Sequence, residues 1–164
     1  MMRNLKWNLR NEYFIGLFSL VICLLSATAV LAQESEQPVK MRDLPPVVQA
    51  TAREQIKGAI VRGFSREVKD GQTFYEVGLK VKGHSKDVLI DSEGKVVEVE
   101  EQVALASLPQ PAKAEILKQA RGGRILMIES VTKNNTLTGY EAHVKTGGKI
   151  SEIKVTPEGA PISN

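Results

Sequence analysis

Few side chains here have the types and spacing that chemistry requires. His84 and His143 are the only histidines, and Cys23 is the only cysteine. A zinc centre draws on about three or four nitrogen, sulfur or carboxylate ligands, and two distant histidines without a nearby cysteine do not supply one. Asp87, Asp91 and Glu93 form a loose acidic cluster, but the spacing of a calcium-binding loop is absent. No His-Glu-x-x-His, Gly-x-Ser-x-Gly or phosphate-loop motif occurs. Nucleophilic catalysis lacks its parts, with no cysteine nucleophile and no histidine beside a Ser–Asp pair. The sequence therefore reads as a non-enzyme with no catalytic residue, no cofactor and no metal.

The strongest pattern is a stretch that recurs. Tyr75-Glu76-Val77-Gly78-Leu79-Lys80-Val81 is followed further on by Tyr140-Glu141-Ala142-His143-Val144-Lys145-Thr146. Each alternates like a strand with one face buried. Tyr75, Val77, Leu79 and Val81 fall on one side, and Phe74, Glu76, Gly78 and Lys80 on the other. The tyrosines are expected to pack in the core. The glutamates are expected to pair with Lys80 and Lys145 on a solvated face. His84 and His143 are read as surface residues. Any partner would then meet the polar side, at Phe74, Glu76 and Lys80 in the first stretch and at Glu141, His143 and Lys145 in the second.

The elements that position these strands also come in pairs. Asp43-Leu44-Pro45 and Ser107-Leu108-Pro109 each offer a capping residue and an early proline to open a helix. Leu44, Val48, Ala52 and Ile56, with Val47 beside them, make one apolar stripe. Ala112, Ile116, Leu117 and Ala120 make the other. Gly58 and Gly122 are placed to end the helices. After the first helix, strands are predicted at about 59–68, 73–81, 85–90 and 95–99, separated by Asp70-Gly71, Lys82-Gly83 and Asp91-Ser92-Glu93-Gly94. The inward set of the first strand is ambiguous, with Ile60/Phe64/Val68 competing against Val61/Gly63. The matches run at an offset of 64 residues, then 65, and duplication explains them. The fold class is α+β: two tandem α-β-β-β-β repeats, 43–103 and 104–164, with one helix per repeat on one face of antiparallel sheet.

Before the repeats, Arg3, Lys6 and Arg10 precede an apolar run over 14–32 that ends in small residues. This is the layout of a secretion signal, residues 1–32, with cleavage after Ala32. An uncleaved anchor is the alternative, since a run of this length reaches across a bilayer. A lipid anchor on Cys23 is disfavoured by the bulky Ile22 before it. Residues 33–42 read as a disordered, solvated leader. The whole chain carries 22 basic and 19 acidic residues. Without Arg3, Lys6, Arg10 and Glu12 the balance is 19 against 18. That argues against a nucleic-acid partner and, after signal cleavage, against a membrane one.

The paired elements resemble the PepSY-like, β-lactamase-inhibitor-protein-like domain family. The residues that carry the likeness are Leu44-Pro45, Gly58, Tyr75-Glu76-Val77 and Asp91-Ser92-Glu93-Gly94-Lys95-Val96. It covers residues 43–100 and, more loosely, 107–162. It departs at Thr156-Pro157-Glu158-Gly159-Ala160-Pro161, where threonine replaces the acidic turn residue and a proline falls in the last strand, which suits only an edge or a short strand. The resemblance implies a helix on a four-stranded antiparallel sheet per repeat, in a periplasmic or secreted protein. Some relatives act as peptidase propeptides or as inhibitors that bind on the open sheet face. It brings no catalytic residues. The function expected is a non-catalytic binding module that engages a protein or peptide partner, an exported hydrolase among the options. The alternative is a small-ligand-sensing or structural envelope protein.

Overall fold

The computed structural model describes residues 35–163; the expected secretion signal lies outside them. Among these residues no helix is long and apolar enough to cross a membrane. Eight strands form one antiparallel sheet in which every strand pairs with its neighbours in sequence. They are β1 (Ser35–Val39), β2 (Ile60–Lys69), β3 (Gln72–Val81), β4 (His84–Asp91), β5 (Val96–Gln102), β6 (Arg124–Lys133), β7 (Thr136–Thr146) and β8 (Lys149–Val155). Helix α1 (Pro46–Gln55) lies between β1 and β2, and α2 (Gln110–Ala120) between β5 and β6.

The turns dictate this meander. Asp70-Gly71, Lys82-Gly83, Asn134-Asn135 and Gly147-Gly148 are two-residue connections with positive φ at both positions. This geometry matches the twist of paired strands and favours Gly, Asn and Asp. The helices then cover one face. Leu44, Val48 and Ala52 pack on Val77, Leu79, Val88 and Ile90. Leu108, Ala112, Ile116 and Ala120 pack on Ile128, Tyr140, Ala142, Val144, Ile153 and Val155. Tyr75 is half-buried against the first cluster, and Tyr140 is buried in the second.

Four sequence expectations are corrected. Residues 35–39 of the expected disordered leader form β1, paired along β2 from Ser35↔Val68 to Val39↔Phe64. Backbone groups on an open sheet edge accept any extended segment, whatever its side chains, and Val39 and Met41 anchor it on the first core cluster. Asp43 and Ser107 do not cap the helices. They close short 3₁₀ turns (Met41–Asp43 and Leu105–Ser107), and Pro45 and Pro109 hold the N-cap positions without a side-chain bond. The second half has three strands rather than four. After β8 a turn leads only to an isolated Val155↔Pro161 bridge, because proline cannot donate to a ladder. Finally, Val47 and Leu117, both assigned to apolar stripes, are about half exposed at 51% and 47%.

The ambiguity over β2 also has a physical source. Its register against β3 slips between Val61 and Gly63. The extra residue, Arg62, reverses the alternation within the strand. Phe64 pairs with Val77 on the helix side, whereas Ile60 is left exposed. The same slip occurs in β6 between Ile125 and Met127.

The turns behind the two helices also correspond. Gly94 (φ 84°) and Gly159 (φ 85°) close four-residue turns. A Cβ on Gly94 would stand 3.0 Å from the Val47 carbonyl oxygen, and one on Gly159 would stand 2.7 Å from that of Pro111. Asp91 Oδ1 accepts the Lys95 amide at 2.8 Å in the first turn. In the second, Thr156 Oγ1 takes the Ala160 amide at 3.2 Å, so threonine replaces the aspartate in kind.

Ile116 is fully buried while its neighbour Leu117 faces water. Ile116→Ala is expected to cost about 2–5 kcal/mol of unfolding free energy. Leu117→Ala is expected to cost about 0.5 kcal/mol or less. Urea denaturation of both variants measures the difference; similar losses would mean that α2 is rotated from this position.

Candidate functional site

The face away from the helices carries the unusual chemistry. It holds a shallow concavity of about 390 Å³. Because residues directly opposite across a ladder share a face, each strand brings a carboxylate to it. β1 supplies Glu36, β2 Glu67, β3 Glu76 and β4 Asp87. β5 supplies Glu98 and Glu100, β6 Glu129, β7 Glu141 and β8 Glu152. The basic groups among the lining residues are Lys69, Lys154 and His143. A near-neutral chain has thus sorted its charge, with acid gathered on one side of the sheet.

Three local arrangements compensate part of this charge. Arg62, on the β2 bulge, forks onto Asp87 with contacts of 2.5 and 2.7 Å. Gly78 leaves room for that pair, since a Cβ there would lie 3.3 Å from Asp87 Oδ1 and 3.6 Å from Arg62 Cβ. Lys133 Nζ lies 3.1 Å from Glu98. At the β6–β8 end, Lys154 Nζ is 3.1 Å from Glu141 Oε2; beside it His143 Nε2 is a hydrogen-bond partner of Glu129 Oε2 at 3.0 Å.

In the middle of the face, Glu76 and Glu100 have no ion-pair partner among the described residues. Burial, reinforced by Asp87, Glu36 and Glu67, lifts the Glu76 carboxyl to about 7. Burial and the charges of Glu141, Glu98 and Glu129 lift that of Glu100 to about 8. Burial also raises Glu141, against the pull of Lys154.

The sequence-predicted contact residues are only partly brought together. Glu76, Glu141 and His143 line the concavity. Phe74 lines an adjoining hollow that shares Leu89 and Glu98 with it. Lys80 and Lys145 are exposed outside both. The expected pairs with Glu76 and Glu141 do not form; Glu141 takes Lys154 and His143 instead. His84 is exposed as expected, whereas His143 is not a simple surface residue. Asp91, from the loose acidic cluster, caps its own turn. Sequence reading missed Glu100 and Glu129. Each follows an apolar residue, Val99 or Ile128, and precedes a polar one, as an unremarkable strand residue does, and only the strand order gathers them.

No family model matches this chain. Among solved structures it is similar to a periplasmic protein of Bacteroides eggerthii DSM 20697, at 15% identity over 73% of this chain and 86% of that one, with a TM-score of 0.58. A DUF2874 family protein of Bacteroides uniformis ATCC 8492 gives 18% identity, 73% and 86% coverage and a TM-score of 0.56. A BLIP-like protein of Bacteroides fragilis NCTC 9343 gives 14%, 73%, 84% and 0.51. At such identities the likeness is one of fold: an α+β, BLIP-like arrangement of an open antiparallel sheet with two helices.

A carboxyl with a higher pKa in the folded chain binds its proton more tightly there than when unfolded. Glu76 and Glu100 therefore stabilise the fold fully below about pH 4.5, and lose that contribution as pH rises through about 7 and about 8. The melting temperature is expected to be higher near pH 5 than near pH 8.5, by on the order of 5 °C. Glu100→Gln should raise it at the alkaline end and flatten the profile. Calorimetry across this range checks both, and a profile that rises with pH would contradict the assignment.

Proposed function

We propose that this chain is an exported, non-catalytic binding module that holds a lysine- and arginine-rich segment of another protein against its acidic sheet face. The observation that carries this reading is that all eight strands deliver a carboxylate to one concavity. Basic side chains arriving there would supply the missing countercharge to Glu76 and Glu100. Charge complementarity of this kind steers association and selects partners. Phe74, beside the acid, offers an aromatic anchor of the sort interfaces favour. Glu76, Glu141 and His143 complete the proposed contact set, with Lys80 and Lys145 at its margin.

Residues 1–32 act as a cleaved signal, and the protein works in the periplasm or outside the cell; the periplasmic neighbours support this. Segments 43–103 and 104–164 are two PepSY-like repeats of one ancestral unit. The matching bulges at Arg62 and Leu126 and the matching turns of Gly94 and Gly159 support duplication. Inhibition of an exported hydrolase is one form the engagement would take, and the BLIP-like neighbour is consistent with it.

Fluorescence anisotropy with a labelled oligolysine, and with oligoglutamate as the control, tests the central claim. Oligolysine is expected to bind with marked salt sensitivity and oligoglutamate not at all. The double variant Glu76→Lys/Glu98→Lys should weaken oligolysine roughly tenfold or more. Equal binding of both peptides, or no response to the double reversal, would sink the proposal.

A further inference from the structure

At the β6–β8 end of the acidic face the side chains change character. Glu129 and Glu141 stand directly opposite each other across the β6–β7 ladder, and His143 stands opposite Glu152 across β7–β8. His143 and Glu141 are two residues apart on one strand, so all four point to the same side. Ligand atoms of Glu141, His143 and Glu152 lie within 4.8 Å of one another. His143 Nε2 is 3.0 Å from Glu129 Oε2 and 3.7 Å from Glu141 Oε1.

A second observation is independent of this clustering. Glu129 is only 2% exposed, yet its Oε1 has no hydrogen-bond partner among the described residues. A buried, unpartnered carboxylate oxygen is costly, and this one belongs to a residue that lines the concavity. The ammonium of Lys154 bridges Glu141 and Glu152 at 3.1 and 3.4 Å and leaves Glu129 to His143.

From this geometry we propose that Glu129, Glu141, His143 and Glu152 form a binding site for a divalent transition-metal ion of the zinc class. The donor set is three carboxylates and one imidazole. Imidazole nitrogen suits zinc and its neighbours, whereas calcium and magnesium take oxygen alone. Donors around a tetrahedral zinc stand about 3.3 Å apart, so rotation of Glu141 and Glu152 closes the present spread. Lys154 occupies the place of the ion's charge. It lies on the outermost strand with its side chain 31% exposed, and its flexible stem lets the ammonium swing into water when the metal enters. The proposal does not depend on a protein partner for the face.

The test is titration of the full-length chain, stripped with chelator, by Zn²⁺ and Co²⁺ in separate calorimetric runs, with Ca²⁺ and Mg²⁺ as counter-probes. One equivalent of zinc is expected to bind, and cobalt is expected to give the visible absorption of a low-symmetry, four-coordinate site. His143→Gln should weaken zinc at least roughly tenfold, while His84→Gln should leave it unchanged. Lys154→Met should tighten zinc by removing the competing cation, an effect that a purely structural ion-pair network would not produce. If His143→Gln fails to fold, the cobalt spectrum of the unaltered chain and the Lys154→Met titration decide the matter. Absence of saturable zinc binding, zinc binding indifferent to His143, weaker zinc binding after Lys154→Met, or tighter binding of calcium than zinc would each overturn the assignment.

Discussion

The structure depends on burying an eight-stranded sheet on one side only. Two helices of 10 and 11 residues, with the short segments that lead into them, provide the cover among the described residues, so every strand must aim its apolar residues at the same face. A slip of one residue would turn a strand inside out. The two strands that follow a helix, β2 and β6, meet this demand with a one-residue bulge. Beyond the bulge, Phe64 and Ile128 face the helices. The bulged residue Arg62 is freed to reach across Gly78 to Asp87. Parity on the dry side thus fixes which side chains gather on the wet one.

The wet side pays for its composition in proton affinity. Cross-strand neighbours on one face stand about 5 Å apart, so carboxylates on adjacent strands feel each other directly. The periphery has local cations: Arg62, Lys133 and Lys154. Among the described residues the middle has none paired with its acids, and there Glu76 and Glu100 are raised to about 7 and about 8. A fold can carry this stress because the two core clusters lie on the opposite face, insulated from it. A protein selected for stability alone would have no reason to keep an acid on every strand, and stressed, convergent titratable groups are a mark of sites that act on something else.

Most of the scaffold was legible in the chain, because it rests on local signals. Asp70-Gly71 and Lys82-Gly83 are hairpin turns in sequence and in space. The alternation of Val77 and Leu79 gave the correct core face of β3. What was not legible is non-local. β1 owes its order to a vacant sheet edge and to the Val39 anchor on the first core cluster, neither of which its polar composition announces. The first strand looked ambiguous because a bulge superposes two alternations. The acidic face was hidden by its own compensation elsewhere: a balance of 19 basic and 18 acidic residues after the signal says nothing about segregation. Likewise Glu129 and His143 are 14 positions apart, and only pairing of β6 with β7 makes them neighbours.

The two cations proposed for this face, a basic protein segment over its middle and a metal ion at its β6–β8 end, would draw on one field. Glu141 belongs to both regions, since among the neighbouring charges it does most to raise Glu100, and it stands in the cluster with His143 and Glu152. An ion bound there lowers the negative potential that attracts basic side chains, and the effect reaches about one Debye length, roughly 8–10 Å at physiological salt. By linkage the antagonism is reciprocal: whatever factor the metal takes from the partner's affinity, the partner takes from the metal's. Protons belong to the same competition, because each one taken up by Glu76 or Glu100 removes a charge that either ligand would use. Such a face is better described as a shared reservoir of negative charge, apportioned among proton, metal and partner, than as separate sites.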